Sequence, residues 1–349
     1  MSGKPRTHWM VALRFSRWTA CITAISVVCA AVVTIPIGRG ASGIGSDRSG
    51  GQGLSADAGA IARVSWSGIA KYGIADLATD GTRVWLATLG PALKPNLYRV
   101  DSTALTVRKV GPNAHFLELF AGDGQLWGVD DFQRLWLLRF GGRRSISTTL
   151  PRGCRVRGGA VFHGTVWLAC DGYLAAYSAP SLDRTRVVAS KSFVVLATRN
   201  GLWDVHRGRL RAVDGPSRGV TARLPSKSRF LQAAGNEVWG VDFGDVSHGP
   251  RLFHVPLDRK GSRPSVGPEL DGAVNDLEVV GSEIWIANGR RPLIDRFSRA
   301  STPSRRSQID LRGFVRGSDF DLFEHASSRF VWIEVRSGLT FKLLRIRRP

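Results

Sequence analysis

The chain has 349 residues, 43% of them apolar, which excludes a globally disordered protein and leaves room for one large repeat domain or two ordinary domains. Its 40 glycines follow no Gly-X-Y period, which excludes a collagen-like fibre. The net charge of +21 predicts attraction to polyanions. No compact Lys/Arg run interleaved with aromatic residues and no known nucleic-acid motif occurs. We therefore expect an anionic membrane or a cell-wall polymer as a partner, rather than nucleic acid.

The N-terminal 60 residues predict export of the rest of the chain. Residues 1–17 are basic and predict a cytoplasmic segment, and residues 18–38 contain no charge and are long enough to span a bilayer. Residues 39–60 are rich in Gly and Ser, which predicts a flexible linker. We expect a single-pass cell-membrane protein whose remaining domain is extracytoplasmic. The alternative is a cleaved signal and a secreted protein, although residues 18–38 exceed the usual signal length and no clear A-x-A site comes after them.

A Trp-centred hairpin then recurs seven times, at intervals of 36 to 47 residues. Each copy has an apolar segment, a turn, and a second apolar segment with the Trp. The Trp residues are Trp85, Trp127, Trp167, Trp203, Trp239, Trp285 and Trp332. Residues that accept positive φ favour two-residue hairpin turns. The predicted turns are Asp80-Gly81, Asp123-Gly124, His163-Gly164, Asn200-Gly201, Gly235-Asn236 and Gly281-Ser282.

A third apolar and a fourth, more polar segment come after most hairpins, as in Leu97–Val100 and Leu105–Arg108. Four short strands per repeat of about 40 residues are typical of a propeller blade. The seventh repeat has three strands, and a spare strand at Ile61–Trp66 can complete it. We therefore predict an all-β, seven-bladed β-propeller over residues 61–349, preceded by one N-terminal transmembrane helix. A β-helix is the competing fold, but its rungs are shorter.

The repeats also resemble a known family. Val84–Thr88 and Glu283–Asn288, followed by Ile294–Ser298, are similar to YVTN-type and virginiamycin B lyase-like propeller repeats. The similarity covers residues 61–349 and specifies a fold better than a function. It implies ligand binding on the face that carries the blade-to-blade connections. The lyase-like relatives use a metal with a His/Glu acid–base site, which does not map onto this chain residue by residue.

The seven Trp residues and two Cys residues have structural interpretations. Recurrence at one position predicts that the Trp side chains pack between blades, with an aromatic ligand cage as the alternative. Cys154 and Cys170 flank the third hairpin, whose turn brings its two ends together. Outside the cytoplasm such a pair forms a disulfide, and the alternative is two buried free thiols.

An acidic residue recurs nine positions before the Trp, at Asp76, Glu118 and Asp276. Gln232 and Asp321 take this position if their hairpins differ in length by two residues. Because the position starts the innermost strand, we expect these side chains at the channel mouth. They predict either a cation or amine site, or carboxylates that cap backbone N–H groups between blades.

Two histidines, His206 and His248, are predicted in loops on the ligand-binding face. The seven His residues show no H-x-H or H-x-x-x-H spacing, so we assign no metal site and no catalytic residue. No cofactor is predicted beyond a divalent cation at the channel mouth. We expect a monomeric, non-catalytic head that binds an unknown ligand or protein or acts as a scaffold. The alternative is a metal-dependent lyase or hydrolase using the same face.

Overall fold

The structure, a computed structural model, describes residues 61–63, 73–79, 83–90, 94–101, 104–139, 144–244, 248–314, 320–326, 330–337 and 340–347. The predicted cytoplasmic segment, the apolar segment and the linker, which together span residues 1–60, lie outside these ranges. Strands account for every regular element of the described chain, and they form seven four-stranded sheets. Each sheet contains one of the recurring Trp residues on its second strand.

The sheets are blades of antiparallel strands, numbered along the chain from blade 1 to blade 7. The innermost strands are β2 (Ile74–Thr79), β6 (Phe116–Gly122), β10 (Gly158–Phe162), β14 (Val195–Thr198), β18 (Ser228–Ala234), β22 (Val274–Val280) and β26 (Phe320–Ala326). The second strands are β3 (Val84–Thr88), β7 (Gln125–Asp130), β11 (Thr165–Cys170), β15 (Gly201–His206), β19 (Glu237–Asp242), β23 (Glu283–Asn288) and β27 (Phe330–Ser337).

The third strands are largely buried, and the outermost strands are more exposed. The third strands are β4 (Leu97–Asp101), β8 (Arg134–Leu138), β12 (Tyr173–Ser178), β16 (Arg209–Asp214), β20 (Arg251–Pro256), β24 (Leu293–Ser298) and β28 (Thr340–Arg347). The outermost strands are β5 (Thr106–Lys109), β9 (Ile146–Thr149), β13 (Arg184–Ala189), β17 (Thr221–Arg223), β21 (Ser265–Glu269), β25 (Arg305–Asp310) and β1 (Ile61–Arg63). Exposed residues are common along them, as expected at a solvated rim.

The innermost strands contact one another in sequence, and the last contacts the first, so the blades form a closed ring. Blade 7 contains both ends of the described chain, because β1 pairs with β28. Ile61 lies opposite Ile346, and Arg63 lies opposite Leu344. This pairing of a spare N-terminal strand with the last repeat is the one predicted. The strand ends at Arg63, and residues 64–66 of the predicted segment lie outside the described residues.

The direction of the strands defines two faces. The upper face carries the loops between second and third strands and the connections from one blade to the next. The lower face carries the first hairpin turn of each blade and the loops between third and fourth strands. Each innermost strand begins at the upper face, so the predicted ligand-binding residues belong there.

The recurring Trp side chains form the core between blades, as predicted. All seven are at most 1% exposed. Trp332 of blade 7 belongs to a buried cluster with Ile74 and Leu77 of blade 1. Trp203 of blade 4 shares a cluster with Phe253 of blade 5. An aromatic side chain of this size buries enough apolar surface to join neighbouring sheets.

The predicted turns agree with the structure with one exception. Asp123-Gly124 and His163-Gly164 connect their strands with positive φ at both residues, from 49° to 71°. Gly201 does not lie in its predicted turn: it starts β15 opposite Thr198, and Arg199-Asn200 form the turn. A Cβ at Gly201 would lie 3.2 Å from the Asp214 carbonyl oxygen, so close approach of the third strand explains this glycine. Asp80-Gly81 lies outside the described residues.

The predicted fold class requires one correction. It placed a transmembrane helix before the propeller, whereas the described fold is entirely β. No helix long and apolar enough to cross a membrane is present in the described ranges. The segment that carried the prediction, residues 18–38, is not among them. The helix is therefore not part of the described fold.

Candidate functional site

Four of the five predicted channel-mouth residues follow irregularities of the innermost strands. In β2, Ile74 lies opposite Thr88 and Asp76 lies opposite Ala87, so Ala75 is a bulge residue. The same shift precedes Glu118 in β6 and Asp276 in β22. A longer irregularity precedes Gln232 in β18. Bulges re-aim the side chains that come after them, so they explain how an acidic residue is accommodated there.

Blades 3 and 4 show the complementary case. They have Gly158 and Val194 where the other repeats have an acidic residue or Gln232, and their first two strands pair without a shift. Asp321 lies in β26 opposite Arg336, in regular register, and its side chain is outside the description. The structure thus places all five predicted positions on innermost strands of different blades.

The Asp76 carboxylate makes backbone contacts within and between blades. Its Oδ1 accepts a hydrogen bond from the Leu77 amide at 2.9 Å, and its Oδ2 accepts one from the Leu119 amide of blade 2 at 2.7 Å. In blade 6, Asp276 Oδ1 accepts from the Leu277 amide at 2.9 Å. The contact of Asp76 with Leu119 joins blades 1 and 2, whereas the contact of Asp276 with Leu277 lies within blade 6. They match the capping interpretation, and a cation site at the channel mouth stays a prediction.

The two predicted loop histidines lie on the upper face of adjacent blades. His206 is the last residue of β15 and is half-buried, whereas His248 is exposed in the loop before β20. Within the described ranges, no group of three His, Cys, Asp or Glu side chains is arranged to hold a metal ion. Within the described residues, His206 and His248 are therefore not part of a group that could hold a metal ion.

A buried carboxylate on the upper face was not identified from the sequence. Asp130, at the end of β7, is fully buried, and its Oδ1 accepts from the amides of Phe132 and Arg134 at 3.0 and 2.9 Å. Its Oδ2 accepts from Arg134 Nε at 2.7 Å and from Trp136 Nε1 at 2.9 Å. The guanidinium carbon of Arg134 lies 5.2 Å from the ring centroids of both Phe132 and Trp136.

This arrangement fixes an exposed aromatic ring. Phe132 is 58% exposed, although the turn that carries it is held by a buried carboxylate. The sequence signal was an Asp followed by an aromatic residue in a tight turn, since Asp favours turns by bonding to amides two residues on. We name Asp130, Phe132, Arg134 and Trp136 the blade 2 stack.

The predicted disulfide is confirmed and lies beside this stack. Cys154 and Cys170 are bonded, with their Cα atoms 4.7 Å apart. Cys154 belongs to the blade-to-blade connection 150–157, and Cys170 ends β11. The amide of Leu150 donates to the carbonyl of Gln133 at 2.9 Å, which joins this connection to the turn of the blade 2 stack.

Other buried acids form ion pairs within their own blades. Asp204 is fully buried and accepts hydrogen bonds from Ser190 Oγ and Arg211, and the bond to Asp204 raises the pKa of Arg211. Glu283 accepts from Trp285 Nε1 at 3.0 Å and from two nitrogens of Arg296. These carboxylates stabilise the blades, since removing one partner would leave a buried charge.

Two further histidines are buried. His115 is 2% exposed, and its Nδ1 lies 3.7 Å from Asp131 Oδ2 on the upper face. His254 stacks on Trp239, with ring centroids 4.6 Å apart. Burial lowers the pKa of His254, while the nearby Glu237 carboxylate acts in the opposite direction. His254 is therefore a core residue, and its neutral form is favoured.

Comparisons with known proteins report on the fold. No protein-family model matches the chain, and no curated protein matches its sequence. Three similar solved structures are YCF48 bound to D1 peptide, the Pan2 WD40 domain of Neurospora crassa and Hsv2 of Kluyveromyces lactis. Their sequence identities are 12%, 8% and 10%, and their TM-scores are 0.58, 0.56 and 0.55.

The matched regions span most of both partners in each comparison. They cover 84%, 80% and 79% of this chain, and 99%, 90% and 98% of the respective structures. At this level of identity the likeness concerns architecture alone, since propellers carry many functions. The comparisons thus support a propeller repeat fold, without singling out the YVTN-type or virginiamycin B lyase-like family. The chain is a β-propeller.

Proposed function

We propose that this protein is a non-catalytic propeller that binds a protein or other ligand through its upper face. One observation carries the proposal: the upper-face loops are fixed to the blades by a repeated backbone hydrogen bond. In blades 2 to 6, the amide after the fourth strand donates to the carbonyl just before the third strand. The pairs are Leu150 with Gln133, Ser190 with Gly172, Leu224 with Gly208, Leu270 with Pro250, and Leu311 with Pro292.

This bond supports a binding role through preorganisation. Each distance lies between 2.7 and 3.0 Å, so the loops are held before any partner arrives. A surface that is already ordered loses less conformational entropy on association. The YCF48 structure, a propeller bound to a peptide, has the same fold, which is compatible with this role without assigning a partner.

The site of action belongs to the same proposal. The charge-free segment 18–38 and the basic segment 1–17 support a location outside the cytoplasmic membrane, with the propeller attached or secreted. The relation to YVTN-type and virginiamycin B lyase-like repeats is likewise proposed from the residues quoted above. Mass spectrometry of the mature N-terminus distinguishes a retained anchor from a cleaved signal, and a start after residue 31 would show cleavage.

Photo-crosslinking in the native host tests the binding face. We would place p-benzoylphenylalanine at Asp171 or Arg207 on the upper face, and at His163 or Arg199 on the lower face. All four positions are exposed, and Arg207 and His163 have nearly the same φ, 50° and 49°. We expect discrete adducts from the upper positions alone. Adducts from only the lower positions would contradict the proposal, as would metal-dependent turnover in an unbiased substrate screen.

A further inference from the structure

We propose that the blade 2 stack, together with the connection 150–157, is a docking site for an acidic polypeptide segment that carries an apolar side chain. This inference rests on the proposed function and specifies where the partner binds and which chemistry it presents. It depends on three features of the described residues: a fixed exposed ring, an incompletely used guanidinium, and two cations beside them.

Phe132 is the apolar anchor. Exposed large hydrophobic residues of the described chain are Phe132, Val187 and Val266, at 58%, 51% and 49%. The two valines lie on outermost strands, where alternate side chains face solvent. Phe132 instead lies on the upper face, in a turn held by Asp130. Aromatic residues with restricted freedom dominate binding energy at interfaces because little entropy is lost when they are covered.

Arg134 supplies a directional cation next to that anchor. Its Nε atom donates to Asp130, its side chain is 36% exposed, and its guanidinium carbon lies 5.2 Å from the ring centroids of both Phe132 and Trp136. Neither of its terminal nitrogens donates a hydrogen bond within the described residues. A guanidinium held in place by stacking can bind a carboxylate through its remaining N–H groups. The partner chemistry that fits Arg134 is therefore an Asp or Glu side chain.

The connection 150–157 adds positive charge on one side of the stack. Arg152 and Arg155 are exposed, and neither forms an ion pair with a carboxylate in the part of the chain that the structure describes. Arg157, by contrast, lies 3.4 Å from Asp171. The Leu150–Gln133 hydrogen bond holds the start of the connection, and the Cys154–Cys170 disulfide holds it between Arg152 and Arg155. Charge complementarity thus favours an acidic partner.

A polypeptide fits these features better than a nucleic acid or a lipid surface. Single-stranded nucleic acid binding requires successive aromatic platforms, and one face of Phe132 is already covered by Arg134. Insertion into a bilayer requires a broad apolar face, whereas the stack exposes a single large apolar side chain among charges. An acidic segment with one apolar residue satisfies both the ring and the arginines.

The test is selection of a phage-displayed random peptide library on the full-length chain, followed by fluorescence anisotropy with the selected peptides. The site variants are Phe132→Ser and the pair Arg152→Glu with Arg155→Glu. The matched controls are Val266→Ser and the pair Arg199→Glu with Arg218→Glu, which changes the net charge equally on the lower face. Circular dichroism melting checks that all four variants fold.

We expect acidic peptides with an apolar residue, at least tenfold weaker binding for both site variants, and less than a twofold change for the controls. Binding should also weaken as salt increases. Selected peptides that bind the site variants and wild type equally would overturn the docking site while leaving the proposed function intact. Failure to select any binding peptide would count against both. Tighter, residue-dependent binding of single-stranded DNA or phosphatidylglycerol vesicles would overturn the choice of occupant.

Discussion

The carboxylate of Asp76 accepts hydrogen bonds from two backbone amides, so its replacement tests whether it stabilises the fold. Replacing Asp76 by Asn leaves one acceptor oxygen for two amides, those of Leu77 and Leu119. Because hydrogen bonds to charged groups contribute about 1.5–3 kcal/mol each, we expect unfolding free energy to fall by about 2 kcal/mol in urea titrations. Asp183→Asn, at an exposed carboxylate, is the control. Equal, small losses in both variants would contradict the capping role.

His254 makes the stability depend on pH. Its folded-state pKa lies below the ordinary value because of burial, so the unfolded chain binds more protons as pH falls below about 6.5. The unfolding free energy should therefore decrease as pH falls from the unfolded-state pKa to the folded-state pKa, and it should level off below the folded-state pKa. His254→Phe keeps a ring on Trp239 and removes the titration, so its unfolding free energy should vary less between pH 7 and 5. Parallel profiles for the two proteins would refute the assignment.

The sequence predicted some side-chain environments better than others. The Trp residues were identifiable as core because one residue type recurs at one structural position. The blade 2 stack was not, because Asp130, Phe132 and Arg134 become significant only when a turn brings their amides and rings together. The same holds for Asp76, whose second partner is an amide 43 residues away in another blade.

At the scale of elements, the disulfide is the strongest local constraint on the upper face. The cysteines are 16 residues apart, and a crosslink closing a loop of that size stabilises a protein by about 3 kcal/mol in the chain-entropy description. The double change Cys154→Ala with Cys170→Ala should reduce unfolding free energy by about that amount. Its stability should not respond to reductant, unlike that of wild type. Equal alkylation of the two residues before and after reduction would argue against the bond.

Strand and turn positions were predictable from the sequence where local rules determine them. Asp123-Gly124 and His163-Gly164 lie where hairpin preferences put them, whereas Gly201 responds to the third strand packing beside it. The bulges at Ala75 and its counterparts were not foreseen, because a bulge is defined by the partner strand. Local chemistry thus predicts the hairpins, and the register of the innermost strands requires the assembled sheet.

For the whole molecule, the pairing of β1 with β28 joins the start of the described chain to its last blade. Because β1 covers the outer edge of β28, removing it leaves an unpaired edge that favours association with other chains. We expect a chain lacking residues 1–63 to melt at lower temperature and to aggregate in light-scattering measurements. A chain lacking residues 1–58 retains β1 and is the control. Identical melting and solubility of the two chains would show that β1 contributes nothing to closure.

The direction of β1 determines which face of the propeller would lie nearer to a membrane if the chain is attached through its N-terminal segment. As the outermost strand of blade 7, β1 runs from the lower face, at Ile61, toward the upper face, at Arg63. The chain thus enters the propeller at its lower rim. If residues 39–60 form the flexible linker predicted from their Gly/Ser content, a chain of that length has a root-mean-square reach of about 25 Å. Attachment to a membrane through this linker would turn the lower face, with exposed Arg199 and Arg259, toward the lipid headgroups. The blade 2 stack would then face away from the membrane. One basic protein would thus bind a different anion on each face, phospholipid on the lower face and an acidic polypeptide on the upper face.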